Sequence, residues 1–141
     1  GTYNSPERDG NGITYGGYSK KIVVHEDFVL KVSDKQPLEG IAPLLCAGIT
    51  TYSPFKNWGV KKGDKVGVVG LGGLGHMGVK IAASFGAEVT MLSHSPSKEK
   101  DARELGAQKF VLTSDEEQVK TVAGYVDFIL NTDAAEHDYN K

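Results

Sequence analysis

Ten consecutive residues, Val66-Gly67-Val68-Val69-Gly70-Leu71-Gly72-Gly73-Leu74-Gly75, constrain this chain more than any other stretch. An apolar run of buried-strand length breaks into a G-x-G-x-x-G turn, and a helical pattern follows at once. Ahead of the run, Gly63-Asp64-Lys65 is turn-like; behind it, Leu74, Met77, Gly78, Ile81, Ala82 and Phe85 fall at i, i+3, i+4, i+7, i+8 and i+11, one face of a helix. Gly86 ends that helix and Glu88-Val89-Thr90-Met91-Leu92 begins a second strand. In such a βαβ unit Gly70 permits the tight turn, Gly72 lets a pyrophosphate approach the backbone, and Gly75 brings helix and strand close. The first helical amides and the positive end of the helix dipole then face the anion. Gly70, Gly72, Gly73, Leu74 and Gly75 are therefore the candidate dinucleotide-binding residues.

The residue that reads the adenosine ribose stands about 20 positions after the glycines in such sites. Here the end of the second strand reads Ser93-His94-Ser95-Pro96-Ser97-Lys98, with no carboxylate before Glu99. A carboxylate would accept bonds from a ribose 2′-hydroxyl and repel a 2′-phosphate, whereas hydroxyls, imidazole and ammonium suit the phosphate. Ser93, His94, Ser95 and Lys98 thus point to NADP rather than NAD. A second reading, compatible with the first, has Ser95-Pro96-Ser97 capping the next helix.

The alternation continues with strand 66–69, helix 74–85, strand 88–92, helix 97–105, strand 109–112, helix 115–122 and strand 126–130. Four strands and three helices in this order imply an α/β fold, a doubly wound parallel sheet. A complete dinucleotide domain has six strands, so the sheet is partial and the chain reads as a segment of a longer protein cut at both ends. Upstream, Ile22-Val23-Val24 and Phe28-Val29-Leu30-Lys31-Val32 look like a pair of short strands, too few to form a domain alone. A helix disturbed by Pro43 is expected over Leu38 to Ala47, and a second from Ile49 to about Asn57.

With 141 residues, 39% of them hydrophobic, and a formal charge of −2, the chain has neither a basic footprint for nucleic acid nor a membrane-spanning apolar run. Its single cysteine excludes an internal disulfide and suits a reducing, cytoplasmic compartment. His25, His76, His94 and His137 are scattered, without metal-ligand spacing.

Three motifs occur in order: Gly16-Gly17-Tyr18-Ser19, Ala42-Pro43-Leu44-Leu45-Cys46-Ala47-Gly48-Ile49-Thr50-Thr51-Tyr52-Ser53-Pro54, and Gly70 to Lys80. Together they resemble the cinnamyl alcohol dehydrogenase branch of the zinc-dependent medium-chain dehydrogenases. The resemblance implies hydride transfer between NADP and primary alcohols or aldehydes, with a catalytic zinc and a homodimeric whole protein. It implies that residues 1–37 are the end of a GroES-like catalytic domain and that residues 38–141 begin an NADP-binding Rossmann domain. By the same resemblance Cys46 is a catalytic zinc ligand, Thr50 a cofactor contact in which Thr51 is the alternative, and Thr132 a residue near the nicotinamide ribose. Asn131 departs from the family's carboxylate, and His94 from its hydroxyl residue. The family's other catalytic zinc ligands and its four structural-zinc cysteines have no counterpart in this sequence, and a catalytic site needs three protein ligands.

The isolated chain is accordingly expected to bind nucleotide without catalysing hydride transfer. An S-adenosylmethionine methyltransferase would want an acidic residue after the second strand, where Ser93-His94 stands. A short-chain dehydrogenase would want a lysine four residues after its tyrosine, and Tyr125 is followed at that distance by Ile129.

Overall fold

Valine-rich segments too short to fold alone become a sheet here because each lies beside another. The computed structural model describes residues 4–134, and the expectation placed on His137 lies outside them. The strands are β1 (Lys65–Val69), β2 (Glu88–Ser93), β3 (Lys109–Leu112) and β4 (Phe128–Asn131), all parallel, in the spatial order β3-β2-β1-β4. That order is the first four strands of a dinucleotide-binding sheet. In register, Val66 faces Val89 and Phe128, and Val68 faces Met91 and Leu130.

Five helices accompany the sheet among the described residues: α1 (Leu38–Ile41), α2 (Ala47–Asn57), α3 (Gly73–Ser84), α4 (Glu99–Glu104) and α5 (Glu116–Lys120). The pleat sends Val66, Val68, Val89 and Met91 to one face, where all four are fully buried with Val79 and Ala82 of α3 and Phe55 of α2. Phe55 meets Phe128 edge-on at 5.5 Å and Phe85 at 6.4 Å between ring centroids, tying α2 to the sheet and to the end of α3. Truncating a phenylalanine buried this completely costs about 3–5 kcal/mol.

Local chemistry sets the ends. Asp115 caps α5 by accepting from the amides of Glu117 and Gln118, and the Gln118 side chain returns to accept from Leu112 of β3. Gly86, at φ 79°, stops α3. The helix expected over 97–105 is a 3-10 turn, Pro96–Lys98, running into α4. The fourth strand starts at Phe128, two residues later than its apolar run suggests, because Val126 precedes the pairing with β1.

Two upstream expectations need correction. The helix over Leu38 to Ala47 is α1 followed by a 3-10 turn, Ala42–Leu45, since Pro43 has no amide to continue an α-helical ladder. Residues 22–24 and 28–32 form no strand; Glu26–Phe28 between them is a 3-10 turn, and Val23 is fully exposed. Among the described residues neither run has a strand partner, and an isolated two-stranded ribbon is marginal in water. The chain divides into two compact units, Gly1–Lys35 and Gln36–Lys141. Among the described residues of the first, the antiparallel pairing is an isolated bridge between Pro6 and Ile13.

Candidate cofactor site

The glycine turn leaves β1 through Gly70, whose φ of 84° is left-handed and whose absent Cβ would sit 3.2 Å from the backbone of Asp133. A side chain would be strained there by conformation and crowded by contact. At Gly75 a Cβ would stand 1.8 Å from the Gly70 carbonyl oxygen, so the turn can close on α3 only with glycine. Gly72 and Gly73 are different: a Cβ on either would meet nothing within 4 Å. They are bare on their open side, the form of a backbone that a ligand can approach closely. The close helix-to-sheet approach assigned to Gly75 belongs as much to Gly78, whose Cβ would lie 2.8 Å from Leu130 Cδ2. Sequence reasoning placed Gly78 on the apolar helix face without that role.

Thr132 holds the turn from the neighbouring strand. Its hydroxyl lies 2.8 Å from the carbonyl oxygens of both Val69 and Gly70, and its amide donates to Val69 at 2.9 Å. The O–H of this threonine is thus directed at the glycine turn, while its oxygen keeps acceptor capacity. Next to it, Asn131 Oδ1 accepts from the Asp133 amide.

An open cleft of ≈ 650 Å³ lies against the turn, lined by Leu71, Gly72, Gly73 and His76 on one side and by Lys98, Asp101, Glu104 and Leu105 on the other. Lys98 makes no ion pair among the described residues, so its ammonium can serve an incoming anion. The serines differ from one another. Ser93 is buried and its Oγ accepts from the Ser95 amide at 3.2 Å, which ties it to the loop and leaves its O–H to donate. Ser95 stands at the start of the 3-10 turn but caps no backbone amide; its Oγ pairs with Ser97 Oγ at 3.0 Å. The capping role expected of it is absent; of this loop Lys98 lines the cleft, and Ser95 and Ser97 stand beside it in sequence without lining it. His94 is exposed at the end of β2 and does not line the cleft.

The bare glycines and the Lys98 ammonium fit an NADP-type dinucleotide. Gly72, Gly73 and the amide of Leu74 would hold its pyrophosphate at the start of α3, and Lys98 with Ser95 its 2′-phosphate. Asp101 and Glu104 on the α4 side repel phosphate and would confine it toward Lys98.

The residues present do not fit a catalytic zinc. Cys46 stands at the junction of the 3-10 turn and α2 with an exposed thiol, not as the inert core residue that a lone cysteine often is. Among the described residues no three histidines, cysteines or carboxylates gather as a ligand set. Thr50, one turn on, donates its amide to the Cys46 carbonyl and is exposed. Thr51 is buried, with its hydroxyl donating to Ala47 O at 2.8 Å, which leaves Thr50 as the accessible one of the pair. Of the other histidines, His25 is occupied with its own turn, at 3.3 Å from the Asp27 carboxylate.

At the opposite end of the strands a second polar cluster forms. The Tyr125 hydroxyl donates to Glu88, whose carboxylate also lies 3.3 Å from Lys109 Nζ. The Lys109 and Lys65 ammonium groups sit 3.6 and 4.2 Å from the Tyr125 ring centroid. The Tyr125 bond first, then Lys109, holds the Glu88 carboxyl below its ordinary value; Tyr125 first, then Glu88, holds Lys109 above its own.

Comparison with known proteins agrees with this geometry. The sequence profile of a family described as zinc-binding dehydrogenase matches residues 73–141. The chain is 54% identical over 138 residues to NADP-dependent alcohol dehydrogenase C 1 of Mycolicibacterium smegmatis, covering 98% of this chain and 39% of that protein. Among solved structures, a cinnamyl alcohol dehydrogenase from Sorghum bicolor superposes with a TM-score of 0.88 at 45% identity, over 96% of this chain and 39% of that one. A cinnamyl alcohol dehydrogenase from Helicobacter pylori complexed with NADP(H) gives 0.83 at 45% identity, over 97% and 38%. The chain thus spans about two fifths of the length of these relatives.

Proposed function

Because this chain belongs to the zinc-binding dehydrogenase family, we propose that it forms the first half of the NADP site in an alcohol dehydrogenase that interconverts primary alcohols and aldehydes. The observation that carries the cofactor reading is the pair of open glycines, Gly72 and Gly73, beside a cleft that Lys98 also lines. When bound, the reduced nicotinamide supplies the hydride. The chain's own residues bind and orient: Thr132 shapes the turn, the α3 amides take the pyrophosphate, and Lys98 with Ser95 takes the 2′-phosphate. We assign the accessible Thr50 to the nicotinamide end and Cys46 to one zinc ligand of the whole protein, the others being supplied from outside this segment.

In the same reading residues 1–37 close a GroES-like catalytic domain and residues 38–141 open the Rossmann domain. The whole protein is a cytoplasmic homodimer acting on small aldehydes and alcohols, without nucleic-acid or membrane partners. No described helix is long and apolar enough to cross a membrane.

A second reading follows for these 141 residues by themselves: a nucleotide-binding module without redox activity. It is favoured by the lone thiol at Cys46, one ligand where a catalytic zinc requires three. Following NADPH absorbance with cinnamaldehyde and added zinc tests it. The purified chain should show no turnover above a metal-free blank, while NADPH still binds; zinc-dependent turnover would overturn the second reading.

A further inference from the structure

The end of β4 meets the glycine turn through residues 131–133. Asn131, the last residue of β4, is the register partner of Val69, and the next amide, that of Thr132, still donates across to Val69 O at 2.9 Å. The Asp133 amide has left the ladder, and the Asn131 side chain supplies its acceptor, with Oδ1 3.0 Å away in an Asx turn. Asp133 then stands against Gly70, where an added methyl group would lie 3.2 Å from the Asp133 nitrogen, Cα and Cβ alike. We propose that Asn131 is a positioning residue for the dinucleotide: through Asp133 it holds the glycine turn in the form that takes the pyrophosphate. This rests on the cofactor reading above and adds to it a residue that does not line the cleft.

Gly70 is the residue of the turn that most needs such support. Its φ of 84° is one of several conformations open to a residue without a Cβ, so its neighbours have to select it. Its amide donates to Leu92 O of β2 at 2.9 Å, and its carbonyl accepts from the Thr132 hydroxyl at 2.8 Å. Those bonds hold the two peptide groups. Asp133 stands on the remaining side, where a Cβ would project from the Cα between them. With the Asn131 acceptor removed, the Asp133 main chain loses the bond that fixes it and Gly70 gains room. The fraction of molecules whose turn is ready for a pyrophosphate then falls, and the measured affinity falls with that fraction. NADPH and NADH share the pyrophosphate, so both weaken together, unlike a change at Lys98.

Calorimetric titration of the full chain with NADPH and with NADH, for wild type, Asn131→Ala and Asn131→Asp, tests this at about 0.3 M salt, which screens the charge that aspartate adds. Asn131→Ala should bind both dinucleotides roughly two- to tenfold more weakly, the range of one hydrogen bond. Asn131→Asp keeps an acceptor oxygen at the same place and should bind both within about twofold of wild type. Amide hydrogen exchange at Asp133 reads the turn itself, slow in wild type and Asn131→Asp and fast in Asn131→Ala. Unchanged affinity in Asn131→Ala, an equal loss in both variants, a loss confined to NADPH, or fast exchange at Asp133 in wild type overturns the role of Asn131 while leaving the cofactor reading intact. Failure of the wild type to bind either dinucleotide overturns both.

Discussion

The Thr132 hydroxyl, 2.8 Å from the carbonyl oxygens of Val69 and Gly70, ties the end of one strand to the glycine turn that leaves its neighbour. The two partners are 62 and 63 residues away in sequence, so this tie exists only once β1 and β4 pair. Thr132→Val keeps the shape and deletes the donor. It should lower stability by about 1 kcal/mol in urea unfolding and weaken NADPH and NADH alike, while Thr132→Ser restores both. A loss of affinity for both dinucleotides with the urea midpoint unchanged would instead make Thr132 a direct ligand contact.

Gly75 and Gly72 separate structure from binding. Gly75→Ala drives a methyl group into the Gly70 carbonyl, 1.8 Å away, and should cost on the order of 3 kcal/mol or prevent folding. Gly72→Ala meets nothing within 4 Å, so stability should change by less than about 1 kcal/mol. Its NADPH affinity should nevertheless fall about tenfold, because the methyl group occupies the space assigned to the pyrophosphate. Circular dichroism melts alongside NADPH titration read both effects.

Thr90 is fully buried in β2, and its Oγ1 has no hydrogen-bond partner among the described residues. An unsatisfied buried hydroxyl is a cost, and valine has the same shape. Thr90→Val should raise the urea midpoint, by up to roughly 1–2 kcal/mol of stability; a loss would show that the hydroxyl has a role in the fold.

The cluster of Glu88, Lys109 and Tyr125 makes a pH-dependent contribution to stability. The Glu88 folded value lies below its unfolded one, so its contribution is complete above the ordinary carboxylate range and is lost as pH falls through the folded value. Lys109 is shifted upward, so its contribution is complete below its unfolded value and is lost as pH rises through the folded one. Tyr125→Phe should lower the urea midpoint at neutral pH, and the difference from wild type should close as the solution is acidified below pH 4.5. A difference independent of pH would assign the effect to packing of the ring alone.

Elements whose determinants are local were legible in the sequence. The β1–turn–α3 unit, Gly70 at its left-handed turn and Gly86 at the end of α3 all follow from residues within one window. What required the fold was anything set by distant partners. Thr132 reads as an ordinary turn residue until β4 lies beside β1, and Gly78 reads as one more small residue until Leu130 is beneath it. Ser93 is read by position as a phosphate ligand, and only the fold shows that it is buried with its Oγ accepting from the Ser95 amide. The apolar runs at 22–24 and 28–32 show the reverse error: strand propensity without a strand partner yields exposed, irregular chain.

The central claim is that the cleft beside Gly72 reads a 2′-phosphate through Lys98 and Ser95. Calorimetric titration of the chain with NADPH and NADH, repeated with Lys98→Gln and Ser95→Ala, tests it directly. The account predicts at least a tenfold preference for NADPH, a charge-assisted contact contributing about 1.5–3 kcal/mol, with most of it lost in Lys98→Gln and part in Ser95→Ala. Equal affinity for the two dinucleotides, or a preference unchanged in both variants, would contradict it.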